Sequence, residues 1–163
     1  MFNKNNWHEP IYKNDLKNVL LFGITTMILC GIITGLFDAL LNQTFGLGVS
    51  FSLLLNALAI GFAVKKGYYS YHILYPVLAL CFYFTALFIS FVSYEIGVLG
   101  ITNIGPYLIT WNFYLSFLLK PVYYLVWMIN NGFDIMALIF LILNVLFYVL
   151  GFISVYRIAK GKN

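Results

Sequence analysis

The sequence predicts an all-α integral membrane protein: a compact bundle of four transmembrane helices, with a re-entrant or interfacial helical hairpin between the third and fourth spans. Three observations carry that expectation. Of the 163 residues, 63% are hydrophobic and only 9% charged, and the mean hydropathy is +0.93. A water-soluble domain of this size would need far more charge to cover its surface. The apolar residues also gather into runs that meet the ~20 residues needed to cross ~30 Å of hydrocarbon. Finally, four crossings place nearly all Lys and Arg residues on one side of the bilayer, as membrane proteins tend to do.

The elements follow in chain order. The opening "MFNKNNWHEPIYKNDLKN" does not read as a cleavable signal peptide. Its apolar run begins only near Val19, outlasts an h-region and lacks a small-residue cleavage site. The first span, residues 19–41, is expected to stay as a signal anchor. Before it, Trp7, Ile11, Leu16 and Val19 alternate with Lys4, Lys13 and Lys17. That pattern fits a membrane-surface lead-in whose cations favour anionic headgroups. "NQTFG" reads as a tight outer turn. Its sequon, Asn42-Gln43-Thr44, lies too near the bilayer to indicate glycosylation. The second span, residues 47–64, is the shortest. "KKGYYSYH" is a short cytoplasmic turn, and the third span covers residues 73–97. The fourth, residues 135–155, follows "NNGFD", in which Asp134 is placed as helix N-cap.

Residues 107–130 pose the question of topology. They are long and apolar enough to cross, yet Lys120 and Pro121 sit in their middle. Proline lacks a backbone N–H and disfavours helix at the residue before it. Two helical pieces are therefore expected, 107–119 and 122–130, each too short to span. Their aromatic residues, among them Tyr107, Trp111, Tyr114, Tyr123, Tyr124 and Trp127, favour the headgroup level. A shallow re-entrant hairpin satisfies this, and so does a pair of helices lying in the outer interface; a kinked fifth span is the competing reading. Charge decides between them. With a cytoplasmic N-terminus and no fifth crossing, Lys4, Lys13, Lys17, Lys65, Lys66, Arg157, Lys160 and Lys162 all lie inside. Only Lys120 of the 9 Lys and Arg residues is then outside, with Asp38, Glu95 and Asp134. A fifth crossing would push the basic C-terminal tail outward, against the tendency. The expected location is a bacterial cell membrane, with both termini cytoplasmic and residues 1–163 forming a single transmembrane domain.

Small residues mark the helix faces. "GIITG" is a GxxxG from Gly31 to Gly35, on one face with Gly23, Thr34, Asp38 and Asn42. In the second span Gly48, Ser52, Asn56, Ala59 and Ala63 follow steps of three or four. Small residues let helix backbones approach in lipid. Gly31, Gly35, Gly48, Ser52, Ala59 and Ala63 are thus expected to pack helices within one chain or to form an oligomer or partner interface.

Asp38, Asn42, Glu95 and Lys120 make a candidate outer polar cluster. Intramembrane carboxylates are costly unless paired or hydrated. An ion pair from Lys120 to Asp38 or Glu95 would neutralise the hairpin tip; interfacial charges reaching water is the plainer reading. Asn56 and Asn144 are the mid-membrane polar groups, expected to hydrogen-bond between helices.

Chemistry finds no pattern to carry it. Cys30 and Cys81 read as small hydrophobes within apolar runs, and His8 and His72 are far apart, so no metal or cofactor is expected. No nucleophile–base set, paired carboxylates on one helix or phosphate loop is present, and no catalytic residue is assigned. No nucleic-acid motif accompanies the +4 charge. The expected function is a non-enzymatic polytopic membrane protein, partnered by the lipid bilayer and by its own copies or another membrane subunit. The alternative is a small transporter or channel with an outer vestibule lined by Asp38, Glu95 and Lys120.

Overall fold

The computed structural model describes residues 10–161. Lys4, Trp7, His8 and Glu9 of the expected lead-in, and Lys162, lie outside them. The fold is all-α, with no strand among the described residues. Its helices are α1 (Lys13–Phe45), α2 (Ser52–Gly67), α3 (Leu74–Leu99), α4 (Ile101–Leu108), α5 (Trp111–Leu119), α6 (Tyr123–Asn131) and α7 (Ile135–Lys160), with a 3₁₀ turn at Lys120–Val122 between α5 and α6.

Three helices, α1, α3 and α7, are long and apolar enough to cross a membrane. Their outward surfaces are apolar as well: Leu29, Ile33 and Leu40 on α1 and Ile139, Ile142 and Val149 on α7 are all exposed. A soluble monomer rarely leaves such continuous apolar surface uncovered. Helix α2 has 16 residues, or ~24 Å at ~1.5 Å per residue, which falls short of ~30 Å of hydrocarbon. It begins later than the apolar run because α1 ends in a left-handed cap at Gly46 (φ 62°), and the chain then runs non-helically to Phe51. Helix α1 is longer than its apolar run at both ends.

Helix α2 is the centre of the bundle. Leu53, Ala57, Ile60 and Val64 recur at helical spacing and are buried against Val19 of α1, Tyr75, Ala79, Tyr83, Ala86 and Leu87 of α3, and Val155 and Ala159 of α7. The Tyr83 hydroxyl donates to the Leu53 carbonyl at 2.6 Å. Helices α1 and α3 pack closely because glycines remove side chains between them. A Cβ at Gly31 would stand 2.9 Å from the Ile89 Cβ, and one at Gly35 would stand 2.8 Å from the Ser93 Cβ and collide with the Ser90 carbonyl. The GxxxG face is therefore used inside the chain.

Both described ends of the chain lie at one end of the bundle. Asp15 Oδ2 accepts the Tyr69 and Ser70 N–H groups, each at 3.1 Å, which joins the start of α1 to the α2–α3 turn. The Tyr68 hydroxyl donates to the Ala159 carbonyl at 2.5 Å, which joins that turn to the end of α7. His72 is buried there, its Nδ1 accepting the Leu74 N–H at 3.0 Å as α3 begins. Cys30 is half-buried and Cys81 exposed, so the expected burial of both thiols does not hold for Cys81, which lies on an outward face.

Residues 107–130 form three helical pieces rather than two. Tyr107 belongs to α4, an element no sequence signal marked. Thr110 then takes extended backbone, its hydroxyl donating to the Tyr107 carbonyl at 2.7 Å, and α5 begins. The break at Lys120–Val122 falls where Pro121 places it. Helix α5 lays Phe113 and Phe117 against Phe88 and Phe91 of α3, with centroids 5.1 to 6.2 Å apart. The turn meets Leu87 and Tyr148 across a small cavity. These are the fourteenth residues of two 26-residue helices, so the turn reaches mid-bundle and is not shallow. Helix α6 then runs back toward the start of α7, where Asp134 Oδ1 accepts the Met136 N–H at 3.0 Å as the expected N-cap.

Candidate functional site

At the end of the bundle opposite the described termini, a cavity of about 510 Å³ lies between the three-helix side formed by α1, α3 and α7 and the α5–turn–α6 segment. That volume falls within the range of small-molecule pockets, ~300–1,000 Å³. Asp38, Asn42, Glu95 and Lys120, the four residues of the expected polar cluster, all line it. So does Asn144, whereas Asn56 does not.

Each wall is fixed by identifiable bonds. Asp38 is buried, with 3% of its surface exposed. Its Oδ1 accepts the Phe51 N–H at 3.0 Å, and both its oxygens take the Ser52 N–H, at 3.4 and 3.3 Å. A carboxylate on α1 thus caps the first turn of α2, whose free N–H groups and positive dipole end favour an anion. Sequence reasoning placed Asp38 in reach of water; the capping contact, which joins residues of different helices, has no local signature.

Asn144 holds the next stretch of wall. Its Oδ1 accepts the Ser50 N–H at 2.8 Å, and its Nδ2 donates to the Gly48 carbonyl at 2.9 Å. The backbone of the non-helical segment 47–50 thereby finds hydrogen-bond partners at Ser50 and Gly48. Gly48 has no room for a side chain, because a Cβ would collide with the Tyr124 hydroxyl. On the far wall the Asn42 Nδ2 donates to the Tyr94 hydroxyl at 2.6 Å, and Gln43 reaches the Gly97 carbonyl at 3.1 Å.

Lys120 enters from the turn. Its amine lies over two rings, 5.1 Å from the Tyr94 centroid and 5.6 Å from that of Phe91, within cation–π range. Lys120, Asp38 and Glu95 all line the cavity, and no hydrogen bond or direct ion pair joins the amine to either carboxylate. Both carboxylates nevertheless act on it electrostatically across the cavity. Glu95 is half-buried and makes no hydrogen bond among the described residues. Aromatic side chains complete the lining: Tyr107, Tyr123, Tyr124 and Trp127.

A second polar group lies inward of the cavity. Thr34 and Asn56 meet between α1 and α2, with Thr34 Oγ1 2.7 Å from the Cys30 carbonyl and 3.2 Å from Asn56 Oδ1. One hydroxyl proton cannot serve both acceptors. Turning the Asn56 amide about its axis lets Thr34 donate to Cys30 and accept from the Asn56 amide, an assignment the hydrogen-bond network favours. Ser52, one helical turn from Asn56, bonds to Asp38 through its backbone N–H.

The remaining small residues take structural places. Gly31 and Gly35 face α3, and Ser52 is buried beneath Asp38. Ala59 and Ala63 are half-buried on α2. Comparison with protein-family models, curated proteins and solved structures finds no match for this chain.

Proposed function

We propose that the chain is a multi-pass protein of the cell membrane and that the cavity is the outer vestibule of a small-solute transporter or channel. In this reading α1, α2, α3 and α7 cross the bilayer, both termini are cytoplasmic, and α5 and α6 form a re-entrant pair. The observation that carries the proposal is a cavity of solute size lined by Asp38, Glu95 and Lys120. Charged groups at membrane depth are expensive and occur where they face a protein interior or a watery path. Irregular backbone such as residues 47–50 and the Lys120–Val122 turn is tolerable at that depth only where protein or water satisfies it.

The orientation draws support from charge. Lys13, Lys17, Lys65, Lys66, Arg157 and Lys160 all fall on helix ends or turns at the end of the bundle where the described termini lie, and Lys120, on the mid-bundle turn, lines the cavity that lies toward the other. Positive charge concentrates on the cytoplasmic side. The re-entrant pair also lets α2 be short, since the turn and the capped segment before it fill the depth that α2 leaves. A partner-binding subunit, the other function the sequence offers, draws less support, because the GxxxG face is already occupied by α3.

Reconstitution into liposomes tests the proposal. Uptake of at least one amino acid, organic ion or inorganic ion is expected to exceed that of empty vesicles, and to fall in Lys120→Met and Glu95→Gln. No uptake of any such solute would reject the function.

A further inference from the structure

We infer that the cavity takes a small zwitterion of amino-acid-like chemistry, with its carboxylate on the Lys120 amine and its ammonium on Glu95. This rests on the vestibule reading and specifies its substrate.

The inference follows from which charges are already committed. Asp38 gives its oxygens to the Phe51 and Ser52 N–H groups, and the positive end of α2 offsets its charge. Lys120 and Glu95 are different. Among the described residues the amine has aromatic faces beside it but no hydrogen-bond acceptor for its three N–H donors, and the carboxylate has no hydrogen-bond donor. Both line the same cavity, one on the turn and one on α3. A buried or half-buried charge without a partner is costly, and a ligand that supplies the missing partner regains that cost.

Opposite single charges left without a hydrogen-bonded partner in one cavity select a ligand with both charges. An anion alone would satisfy Lys120 but face Glu95 and Asp38. A cation alone would satisfy Glu95 but face the Lys120 amine. A neutral solute would leave both unpaired. The rest of the lining, Tyr94, Tyr123, Tyr124 and Trp127, offers flat surfaces with polar edges that suit an apolar side chain.

The test is equilibrium binding to the purified full chain in detergent, using each of the common amino acids as probe. For the tightest binder, the matching amine without the carboxylate and the matching acid without the amine are then compared. At least one amino acid is expected to bind saturably, and both single-charge analogues to bind roughly tenfold weaker or worse. Lys120→Met should weaken the amino acid and the acid without weakening the amine; Glu95→Gln should weaken the amino acid and the amine without weakening the acid. The analogue comparison on the wild-type chain stands even if a variant fails to fold. If no amino acid binds, or if the amine or the acid alone binds as well as the parent, the inference is overturned. Should another solute then cross the reconstituted membrane, the vestibule reading survives; should none cross, that reading fails too.

Discussion

Asn144 and Gly48 are 96 residues apart in sequence and are joined side chain to backbone, with Asn144 Nδ2 donating to the Gly48 carbonyl at 2.9 Å. The same amide accepts the Ser50 N–H. One side chain on α7 therefore satisfies two backbone groups of a segment that has no regular structure of its own. Replacing Asn144 with Leu leaves both half-buried groups without this partner, which costs ~1–3 kcal/mol for each group that water cannot reach. A lower melting temperature in detergent is the expected outcome. Asn144→Asp, which keeps the acceptor and turns a carboxylate oxygen toward the Gly48 carbonyl, is expected to be destabilised as well.

Asp38 has a second structural role that can be separated from any role in solute binding. Asp38→Ala removes the cap of α2 and is expected to cost ~1 kcal/mol, within the range of ~0.5–2 kcal/mol for such caps. Asp38→Asn keeps an oxygen for the Phe51 and Ser52 N–H groups and should retain most of that stability. Thermal unfolding of the two variants measures the difference; equal losses would argue against capping.

The α1–α3 contact gives a prediction about assembly. Gly35→Ala forces a methyl into the Ser90 carbonyl and Ser93, where α3 has no slack, and is expected to cost ~1–3 kcal/mol as overpacking does. Gly105→Ala, in α4 with open space around it, serves as the control and should change little. Because the contact is within one chain, the Gly35→Ala loss should not depend on protein concentration. A loss that vanishes on dilution would return this face to an oligomer interface.

At the end where the described termini lie, burial pushes the Tyr68 phenol up to about 12, with Tyr71 and Tyr75 adding to the effect. The hydroxyl thus keeps the proton that it donates to Ala159. A pKa raised in the folded state adds stability that is fully present below the ordinary value near 10 and is lost as pH rises through about 12. Tyr68→Phe should therefore lower the melting temperature at neutral pH, and the gap to wild type should shrink between those two values.

Much of this arrangement was legible in the residues. The apolar runs of α1, α3 and α7 mark them by length alone, Pro121 marks the break after α5, and Asp134 marks the start of α7. The cluster of Asp38, Asn42, Glu95 and Lys120 was legible from the expense of charge near lipid. What sequence could not supply was partnership across helices. Nothing beside Asp38 announces that it caps α2, and the residues around Lys120 suggest a shallow tip, because its depth depends on how Phe113 and Phe117 seat against α3. Helix α4 was missed because Gly105 and Pro106 argue locally for a loop, while the burial of Ile104 holds the turn in place.

The vestibule and its orientation are tested most directly by cysteine accessibility on intact cells, in a chain carrying Cys30→Ala and Cys81→Ala. Ser116 lines the cavity, and Lys66 is exposed at the end where the described termini lie. A membrane-impermeant thiol reagent is expected to label the Ser116→Cys variant from outside and to leave the Lys66→Cys variant untouched until the cells are opened. Labelling of Lys66→Cys on intact cells, with Ser116→Cys protected, would contradict that orientation.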